Sequence, residues 1–377
     1  MTTTVTQDQY AIDQPEAILS PALVVFRELV EHNIQVMLDI AGSTERLRPH
    51  CKTHKMPAVA RMQLEQGITK HKCATFAEAD MLADAGAKDI FLGYNLVGPN
   101  IERAVAFAAR YPDVSFSVTG DDASAIKSLG EVISAAGHTI GVLLDIDPGR
   151  QRTGVPVGRE ARELYALIDR TAGLRAEGLH LYDGHQRQQD FGERTAAVNA
   201  EWQKVAAFRD ELVEAGHPVP RIVCGGTPTF PVYAAIYDPA IELSPGTCVF
   251  HDSGYGNAFP DMDRFIPAAV VFTRVISRPT PNRVTFDVGT KAIASDPPMG
   301  KRAFFPAIPN GEQVIHNEEH LVIETPDADR WSPGDTAIAI PSHVCPTVAL
   351  HDQAVVISDD KVVDHWPVTA RTRCINV

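Results

Sequence analysis

The sequence has no closely spaced pairs of cysteines. Its six cysteines, at positions 51, 73, 224, 248, 345 and 374, stand singly, without any CxxC spacing. Disulfide-stabilised secreted domains instead carry dense cysteine frameworks. We therefore expect reduced thiols and a cytoplasmic protein.

Long apolar runs and a leader-like N-terminus are also missing. No window reaches the roughly 18 consecutive apolar residues that a membrane-spanning helix needs. The first residues, MTTTVTQDQYAIDQPEAI, are polar, and no basic stretch leads into an apolar one. We expect neither a signal peptide nor a membrane segment.

Positive charge is scarce. Lys and Arg number 34 against 48 Asp and Glu, which gives a formal net charge of −14. Nucleic acids and anionic membranes require an excess of Lys and Arg. The charge balance argues against a broad surface of either kind and favours a small-molecule ligand.

Between about residues 22 and 250, short β-branched runs alternate with amphipathic stretches rich in Ala, Glu and Arg. Eight runs are strand-like: ALVVF (22–26), ERLRPHCK (45–52), ITKHKCA (68–74), DIFLGYN (89–95), VSFSVTG (114–120), TIGVLLDID (139–147), AEGLHLYDG (176–184) and RIVCGGT (221–227). An open doubly wound sheet rarely has eight strands without a domain break. The pattern predicts a (β/α)8 TIM barrel over residues 21–257.

From residue 258 the composition changes to strand-like runs separated by Pro-, Gly- and Asp-rich turns. Helical patterns are almost absent there, which predicts a separate, mostly β domain over residues 258–377. The first 20 residues are expected to add a strand to it.

The stretch RPHCKTHK (48–55) is unusually basic for this chain. It is a solvated basic turn, a metal site, or the setting of a reactive lysine. In a strand, Arg48, His50 and Lys52 share one face. Lys52 ends the second predicted strand, on the face where barrel enzymes build their active sites. A partly desolvated lysine beside other cations has a lowered pKa, and its neutral amine can condense with a carbonyl.

Two small-residue turns follow later strands. CGGTPT contains Gly225, Gly226 and Thr227 at the end of the eighth predicted strand, and SPGT contains Ser244 and Gly246. Consecutive glycines let backbone N–H groups close on an anion, and the late loops of barrels are frequent phosphate sites. A Gly-Gly pair alone is usually only a turn.

A possible pair of metal ligands lies in PSHVCPT (341–347). If this segment is a strand, His343 and Cys345 lie on one face and present an imidazole and a thiolate to one divalent ion. Two protein ligands leave positions open for water or substrate, as at a catalytic metal. Taken alone, a His-x-Cys pair is more often ordinary packing.

Two further strand ends carry polar side chains. The loop 147–155, DPGRQRTGV, contains Arg152, and HLYDGHQ contains Tyr182, Asp183 and His185. Each of these residues alone would fit a salt-bridged rim or a helix cap as well as a catalytic or binding site.

Taken in order, these motifs resemble the D-threonine aldolase and D-serine dehydratase family. These are pyridoxal-phosphate enzymes of the alanine-racemase-like fold type III. The pattern RPHxKTHK, the loop at 147–155, YDGH, CGGT, SPGT and PSHVCPTVALHD follow in the family's order from Ser20 to Trp366. The resemblance implies a metal-dependent homodimer that acts on D-amino acids.

The resemblance also implies roles for particular residues. Lys52 is similar to the lysine that carries pyridoxal 5'-phosphate, and His343 and Cys345 match a pair of ligands for a divalent metal (Zn, Mn or Mg). Arg152 matches an arginine near the phenolic oxygen of the cofactor, and Tyr182 a tyrosine at its pyridine ring. The turns that hold the phosphate correspond to Gly225, Gly226, Thr227, Ser244 and Gly246.

The expected reaction is retro-aldol cleavage of a D-β-hydroxy-α-amino acid to glycine and an aldehyde. Gln188 stands where aldolases of this family carry a histidine base, so His185 is the expected substitute. Cys345 resembles the dehydratases, which form a 2-oxo acid and ammonia, whereas LHD (350–352) resembles the aldolases. A cofactor-homeostasis protein would lack the β domain, and a racemase would need two opposed bases and no metal.

Overall fold

A computed structural model describes residues 7–373 of the chain. In this range the strands are β1 (Ala22–Phe26), β2 (Lys70–Cys73), β3 (Asp89–Asn95), β4 (Ser115–Gly120), β5 (Ile140–Ile146), β6 (Leu174–Leu181), β7 (Ile222–Cys224), β8 (Ile241–Leu243), β9 (Ala269–Thr280), β10 (Arg283–Phe286), β11 (Ala303–Phe304), β12 (Glu312–His316), β13 (Leu321–Glu324), β14 (Thr336–Pro341), β15 (Gln353–Ser358) and β16 (Lys361–Pro367). The helices are α1 (Arg27–Ala41), α2 (Pro57–Glu65), α3 (Phe76–Ala85), α4 (Asn100–Arg110), α5 (Ala123–Ala135), α6 (Arg159–Arg170), α7 (Phe191–Glu214), α8 (Phe230–Ala234), α9 (Ser253–Ala258) and α10 (Val344–Ala349). None of these helices combines the length and the apolar composition that crossing a bilayer requires.

The described residues form two compact units. The barrel unit comprises 38–52, 60–246 and 372–373, and the β unit comprises 7–37, 53–59 and 247–371. The domain boundary predicted between residues 257 and 258 stays a prediction.

The barrel unit is built on seven parallel strands in the order β2-β3-β4-β5-β6-β7-β8. All seven residues of β5 are buried, as expected for a parallel strand covered by helices. Leu47 forms a parallel bridge to Leu243 in β8, and His50 forms one to Lys72 in β2. The segment 47–50 thus joins both edge strands and, as the first barrel position in chain order, brings their number to eight, which confirms the predicted (β/α)8 barrel.

The prediction of which runs form the barrel was wrong at two places. The run 22–26 is β1, which pairs with β9 and β15 in the β unit. The remaining barrel strand is β8, only three residues long, which the hydrophobic pattern did not reveal. Lys52 therefore follows the first barrel position instead of the second, and CGGT follows the seventh instead of the eighth.

Short polar caps begin the helices directly after the barrel strands. The side chain of Thr75 accepts a hydrogen bond from the backbone N–H of Glu78 at the start of α3, and Asp122 caps α5 in the same way. Gly86, with φ 107°, ends α3 in the left-handed region that glycine favours. Only two residues separate β2 from α3 and β4 from α5.

Arg48 is the centre of a buried ionic cluster in the barrel unit. Its guanidinium donates to both carboxylate oxygens of Asp89, at 2.7 and 2.9 Å, and to Glu242 at 2.5 Å. The prediction that Arg48 shares a face with Lys52 was wrong, because the chain turns at residues 51–54 instead of continuing as a strand.

The β unit is a nine-stranded sheet in the order β12-β13-β10-β9-β1-β15-β16, to which β14 is attached through β9 and β11 through β14. Buried residues around Phe286 form one of its cores, and residues around Phe26 and Phe272 form another. Residues 7–20 contain two 3-10 helices, Gln7–Tyr10 and Pro15–Ala17, in place of the expected strand. The rest of that expectation, on residues 1–6, lies outside the described residues.

Candidate active site

A cavity of about 810 Å³ opens at the carboxyl ends of the barrel strands. All the residues that line it belong to the barrel unit. The lining residues with polar or charged groups include Lys52, Lys72, Asp145, Arg152, His180 and Tyr182. This is the face on which barrel enzymes build their active sites.

Lys52 is held at the edge of this cavity by the backbone around it. The N–H of His50 donates to the carbonyl of Pro245 at 2.9 Å, and the N–H of Cys51 donates to the carbonyl of Lys72 at 2.9 Å. The side chain of Lys52 itself is exposed. The structure therefore brings Lys52 to the cavity on a fixed backbone.

Lys72 and His180 also line the cavity, although neither belongs to a motif that predicts a site. Lys72 Nζ lies 2.7 Å from His180 Nε2, and His180 Nδ1 lies 2.7 Å from Asp145 Oδ1. Since a carboxylate only accepts, Nδ1 is assigned the proton and Nε2 accepts from the amine of Lys72. One indication of this contact was present in the sequence: Lys72 is a charged residue inside the strand-like run ITKHKCA.

The protonation of these three groups is set by burial and by their neighbours. Burial lowers the pKa of Lys72 to about 7, an effect that Lys52 and Arg152 reinforce and Asp145 opposes. Burial, with Lys72 beside it, also lowers the pKa of His180. Burial would raise the pKa of Asp145, but His180 holds it below its usual value. At neutral pH a large fraction of Lys72 is a neutral amine.

The ring of Tyr182 forms an aromatic wall beside these groups. Arg152 Cζ lies 4.9 Å from the centre of the ring, and Lys72 Nζ lies 5.9 Å from it. A Cβ at Gly184 would lie 2.6 Å from atoms of the ring, and one at Gly226 would lie 3.3 Å from it. The two glycines leave the space that the ring occupies. Arg152 lies over the face of Tyr182, and the roles of both residues at a cofactor stay predictions.

The two small-residue turns lie side by side at the ends of β7 and β8. Gly225 has φ 77°, a conformation that favours glycine, and the N–H of Ser244 donates to the carbonyl of Cys224 at 2.8 Å. Ser244 Oγ is buried and has no hydrogen-bond partner among the described residues. A buried hydroxyl without a partner beside a glycine turn fits an anionic group such as a phosphate.

His185 is directed away from this set of residues. Its Nε2 lies 3.0 Å from Glu201 Oε1 on α7, and it does not line the cavity. Gln186 donates to the same carboxylate at 2.6 Å, and Gln188 donates to Gln186 at 2.9 Å. The role of His185 as a base stays a prediction.

His343 and Cys345 lie in the β unit, in a conformation that differs from the expected strand. β14 ends at Pro341, His343 caps α10, and Cys345 lies in the first turn of that helix. The prediction that both share a strand face was wrong, because the strand ends before them and the chain turns into α10. Pro346 does not prevent this helix, since proline is tolerated in the first turn.

The two side chains nevertheless contact each other. Hydrogen bonds to Cys345 and to Asp296 raise the pKa of His343 to about 9, against the effect of burial. His343 Nδ1 lies 2.6 Å from Asp296 Oδ2, and Cys345 Sγ lies 3.2 Å from Thr53 Oγ1. Nowhere in residues 7–373 do three or more His, Cys, Asp or Glu side chains gather as a ligand set. Metal binding therefore stays a prediction.

The sequence is similar to known proteins over nearly its whole length. Residues 27–253 match the family described as alanine racemase, N-terminal domain, and residues 268–357 match the putative serine dehydratase domain. A D-threonine aldolase of Arthrobacter sp. is 31% identical, over 93% of this chain and 92% of the relative. A D-threo-3-hydroxyaspartate dehydratase of Delftia sp. (strain HT23) is 26% identical, over 92% of this chain and 96% of the relative. The crystal structure of D-threonine aldolase from Filomicrobium marinum superposes with a TM-score of 0.88 at 31% identity, over 96% of this chain and 98% of that one.

Proposed function

Because the chain belongs to the pyridoxal-phosphate-dependent family of D-threonine aldolases and D-serine dehydratases, we propose that it is a lyase acting on D-β-hydroxy-α-amino acids. The reaction is retro-aldol cleavage to glycine and an aldehyde. The observation that carries this proposal is the cavity at the barrel strand ends, which Lys52, Arg152 and Tyr182 all line. The chain around it is similar to a D-threonine aldolase over 93% of its length.

The barrel unit supplies groups that suit the cofactor. When bound, pyridoxal phosphate accepts the electron pair that bond cleavage leaves at Cα. In this proposal Lys52 is the amine that holds it covalently, and Arg152 and Tyr182 contact its ring. The phosphate is held by the two small-residue turns, through Gly225, Gly226, Thr227, Ser244 and Gly246. The partnerless hydroxyl of Ser244 supports that assignment.

Two proton transfers accompany the reaction. The β-hydroxyl loses its proton as its oxygen becomes the aldehyde carbonyl, and Cα gains a proton where the bond to Cβ was broken. We assign the first of these protons to His185, which is hydrogen-bonded to Glu201 and would have to turn from that carboxylate towards the cavity to accept it.

We further propose that His343 and Cys345 hold a divalent ion, Zn, Mn or Mg. Such an ion would supply Lewis acidity towards a hydroxyl oxygen. The contact between the two side chains supports the assignment, as does the carboxylate of Asp296 on His343 Nδ1. A carboxylate that orients the imidazole is a common partner of metal-ligating histidines.

The second candidate is a dehydratase that converts D-serine or 3-hydroxy-D-aspartate to a 2-oxo acid and ammonia. Two observations favour it: Cys345 is the dehydratase-like residue of the ligand pair, and residues 268–357 match a putative serine dehydratase domain. Both reactions would use the same Lys52 site, so they differ only in which substrate bond breaks.

Product analysis separates the two candidates. Metal-loaded enzyme is incubated with D-threonine, D-serine and D-3-hydroxyaspartate, with L-threonine as the control. We expect glycine and an aldehyde from the D-β-hydroxy amino acids and nothing from L-threonine. A 2-oxo acid with ammonia as the only products would establish the dehydratase, and no product from any substrate would contradict both proposals.

We also propose a cytoplasmic homodimer. Family membership supports the dimer, and the cysteines support the location, because the five within residues 7–373 are not joined in disulfides. Sedimentation should give twice the chain mass of 41.0 kDa. A monomer at working concentration would contradict the dimer.

A further inference from the structure

Lys72 is a second lysine in the cavity of Lys52, and the function proposed above leaves it without a role. It is only 5% exposed, yet it lines the cavity. A Cβ at Gly93 would lie 2.8 Å from Lys72 Cε, so the glycine leaves the space that the lysine stem needs. The neighbouring strand therefore accommodates a buried amine at this place.

The partner of Lys72 is unusual for a purely structural lysine. A buried ammonium is normally stabilised by direct pairing with a carboxylate. Here the direct partner is the imidazole of His180 at 2.7 Å, and the carboxylate of Asp145 lies behind it at 2.7 Å from the other ring nitrogen. Asp145 fixes the tautomer of His180, and His180 Nε2 can then only accept from the amine.

The other groups around Lys72 disfavour its charged form. Lys52 and Arg152 act with burial to lower its pKa to about 7, and Asp145 and Cys224 only partly oppose them. The titratable and charged groups that face the amine are Lys52, Asp145, Arg152, His180 and Cys224. An amine of this kind takes up and releases a proton near neutral pH, which an ordinary lysine does not.

We infer that Lys72 is an acid–base residue of this site, which gives a proton to the substrate Cα, and that His180 and Asp145 are positioning residues that hold its amine. The inference rests on the proposed lyase function. Cleavage leaves an electron pair at Cα. An N–H bond of the Lys72 ammonium breaks, a C–H bond forms at Cα, and Lys72 remains as the neutral amine. His185 releases the β-hydroxyl proton to solvent, and solvent restores the Lys72 ammonium, so the protons balance and no other reactant is consumed.

The first test needs neither cofactor nor turnover. Apo-protein is prepared with 13C at lysine Cε, and the Lys72 resonance is identified by its loss in Lys72→Met or Lys72→Arg. We expect a titration midpoint near 7, and a lower midpoint in Asp145→Asn, because Asp145 raises the pKa of Lys72. A midpoint at about 10 or above, the ordinary value for lysine, would overturn the inference.

The second test follows the exchange of the α-protons of glycine with deuterium in the holoenzyme. This exchange is the proposed proton transfer run in reverse, without an aldehyde. We expect Lys72→Met to bind cofactor with unchanged absorbance and to exchange about 100-fold more slowly or worse. Lys72→Arg should not restore the rate, because a guanidinium keeps its proton. The control, Lys127→Met on the exposed face of α5, should exchange at the wild-type rate.

The outcomes distinguish this inference from the proposed function. Exchange that depends on Lys72, in an enzyme that cleaves no hydroxy amino acid, would support the inference and contradict the lyase. Wild-type exchange in Lys72→Met, or full rescue by Lys72→Arg, would reduce Lys72 to a packing or charge role and overturn the inference.

Discussion

Replacing Arg48 with methionine would test how much the ionic cluster stabilises the barrel unit. Arg48 is 0% exposed and holds two carboxylates, Asp89 and Glu242. Removing one partner of a buried pair costs about 3–5 kcal/mol, because the other charge is left uncompensated. Arg221 remains 3.3 Å from Asp89, and Lys70 remains 3.2 Å from Glu242. We therefore expect Arg48→Met to lower the free energy of unfolding by about 3 kcal/mol, near the lower end of this range.

The loss should depend on pH in one direction. Burial would raise the pKa of Asp89 and of Glu242, but Arg48 brings both below their usual values. Such groups contribute stability above their unfolded pKa of about 4, and the contribution disappears as the pH falls through the folded pKa. Without Arg48 the folded pKa values rise. The difference in free energy of unfolding between the wild type and Arg48→Met should thus be largest near neutral pH and should decrease as the pH falls.

Urea titration would measure the effect. Trp202 on α7 is 8% exposed and reports the barrel unit when Trp331 and Trp366 are replaced by Phe. The control is Arg159→Met. The side chain of Arg159 is 88% exposed and pairs with Glu163 four residues later, so its loss should lower the free energy of unfolding by under about 1 kcal/mol. An Arg48→Met loss no larger than the control, or a difference that widens in acid, would refute the reasoning.

Three further predictions concern the site. Lys52→Ala should lack the visible absorbance of bound cofactor, and borohydride should label wild-type protein at Lys52 alone; a label on another lysine would contradict the assignment. Ser244→Ala should weaken the affinity of the apo-protein for pyridoxal phosphate roughly 10- to 150-fold, since one hydrogen bond to a charged group is worth about 1.5–3 kcal/mol. A fluorescence titration would measure this affinity. An unchanged affinity would mean that Ser244 does not contact the phosphate. His343→Ala, or treatment with a chelator, should abolish turnover but keep the visible absorbance, because the proposed cofactor contacts lie in the barrel unit; full activity after chelation would show that the pair only packs.

The sequence predicts the barrel because its period is long and repeated, and the errors fall where the local signal is weakest. A five-residue apolar run such as 22–26 is buried in either kind of sheet, so its pattern cannot say which sheet it joins. β8 offers only Ile241, Glu242 and Leu243, too few residues for a period to show.

The sequence could predict that Lys52 lies at the cavity, because His50 and Lys52 are close neighbours in one motif, RPHCKTHK, at a strand end. The contact between Lys72 and His180 joins β2 to β6, 108 residues apart, and depends on which side chains point inwards at the strand ends. No local pattern contains that information. For His343 and Cys345, the expected contact rested on a strand spacing that the structure does not have, because a strand and a short helix both fit PSHVCPT.

The position of β1 determines when the β unit can be completed as the ribosome makes the chain. Leu23 pairs with Ala354, and Val24 pairs with Val270, so the first strand among residues 7–373 needs partners that are synthesised more than 240 residues later. The barrel strands all emerge in between. Until β9 and β15 follow, ALVVF is an unpaired apolar strand, which invites association with other chains. A nascent or truncated chain that ends before residue 269 keeps that strand unprotected, even when every barrel strand is present.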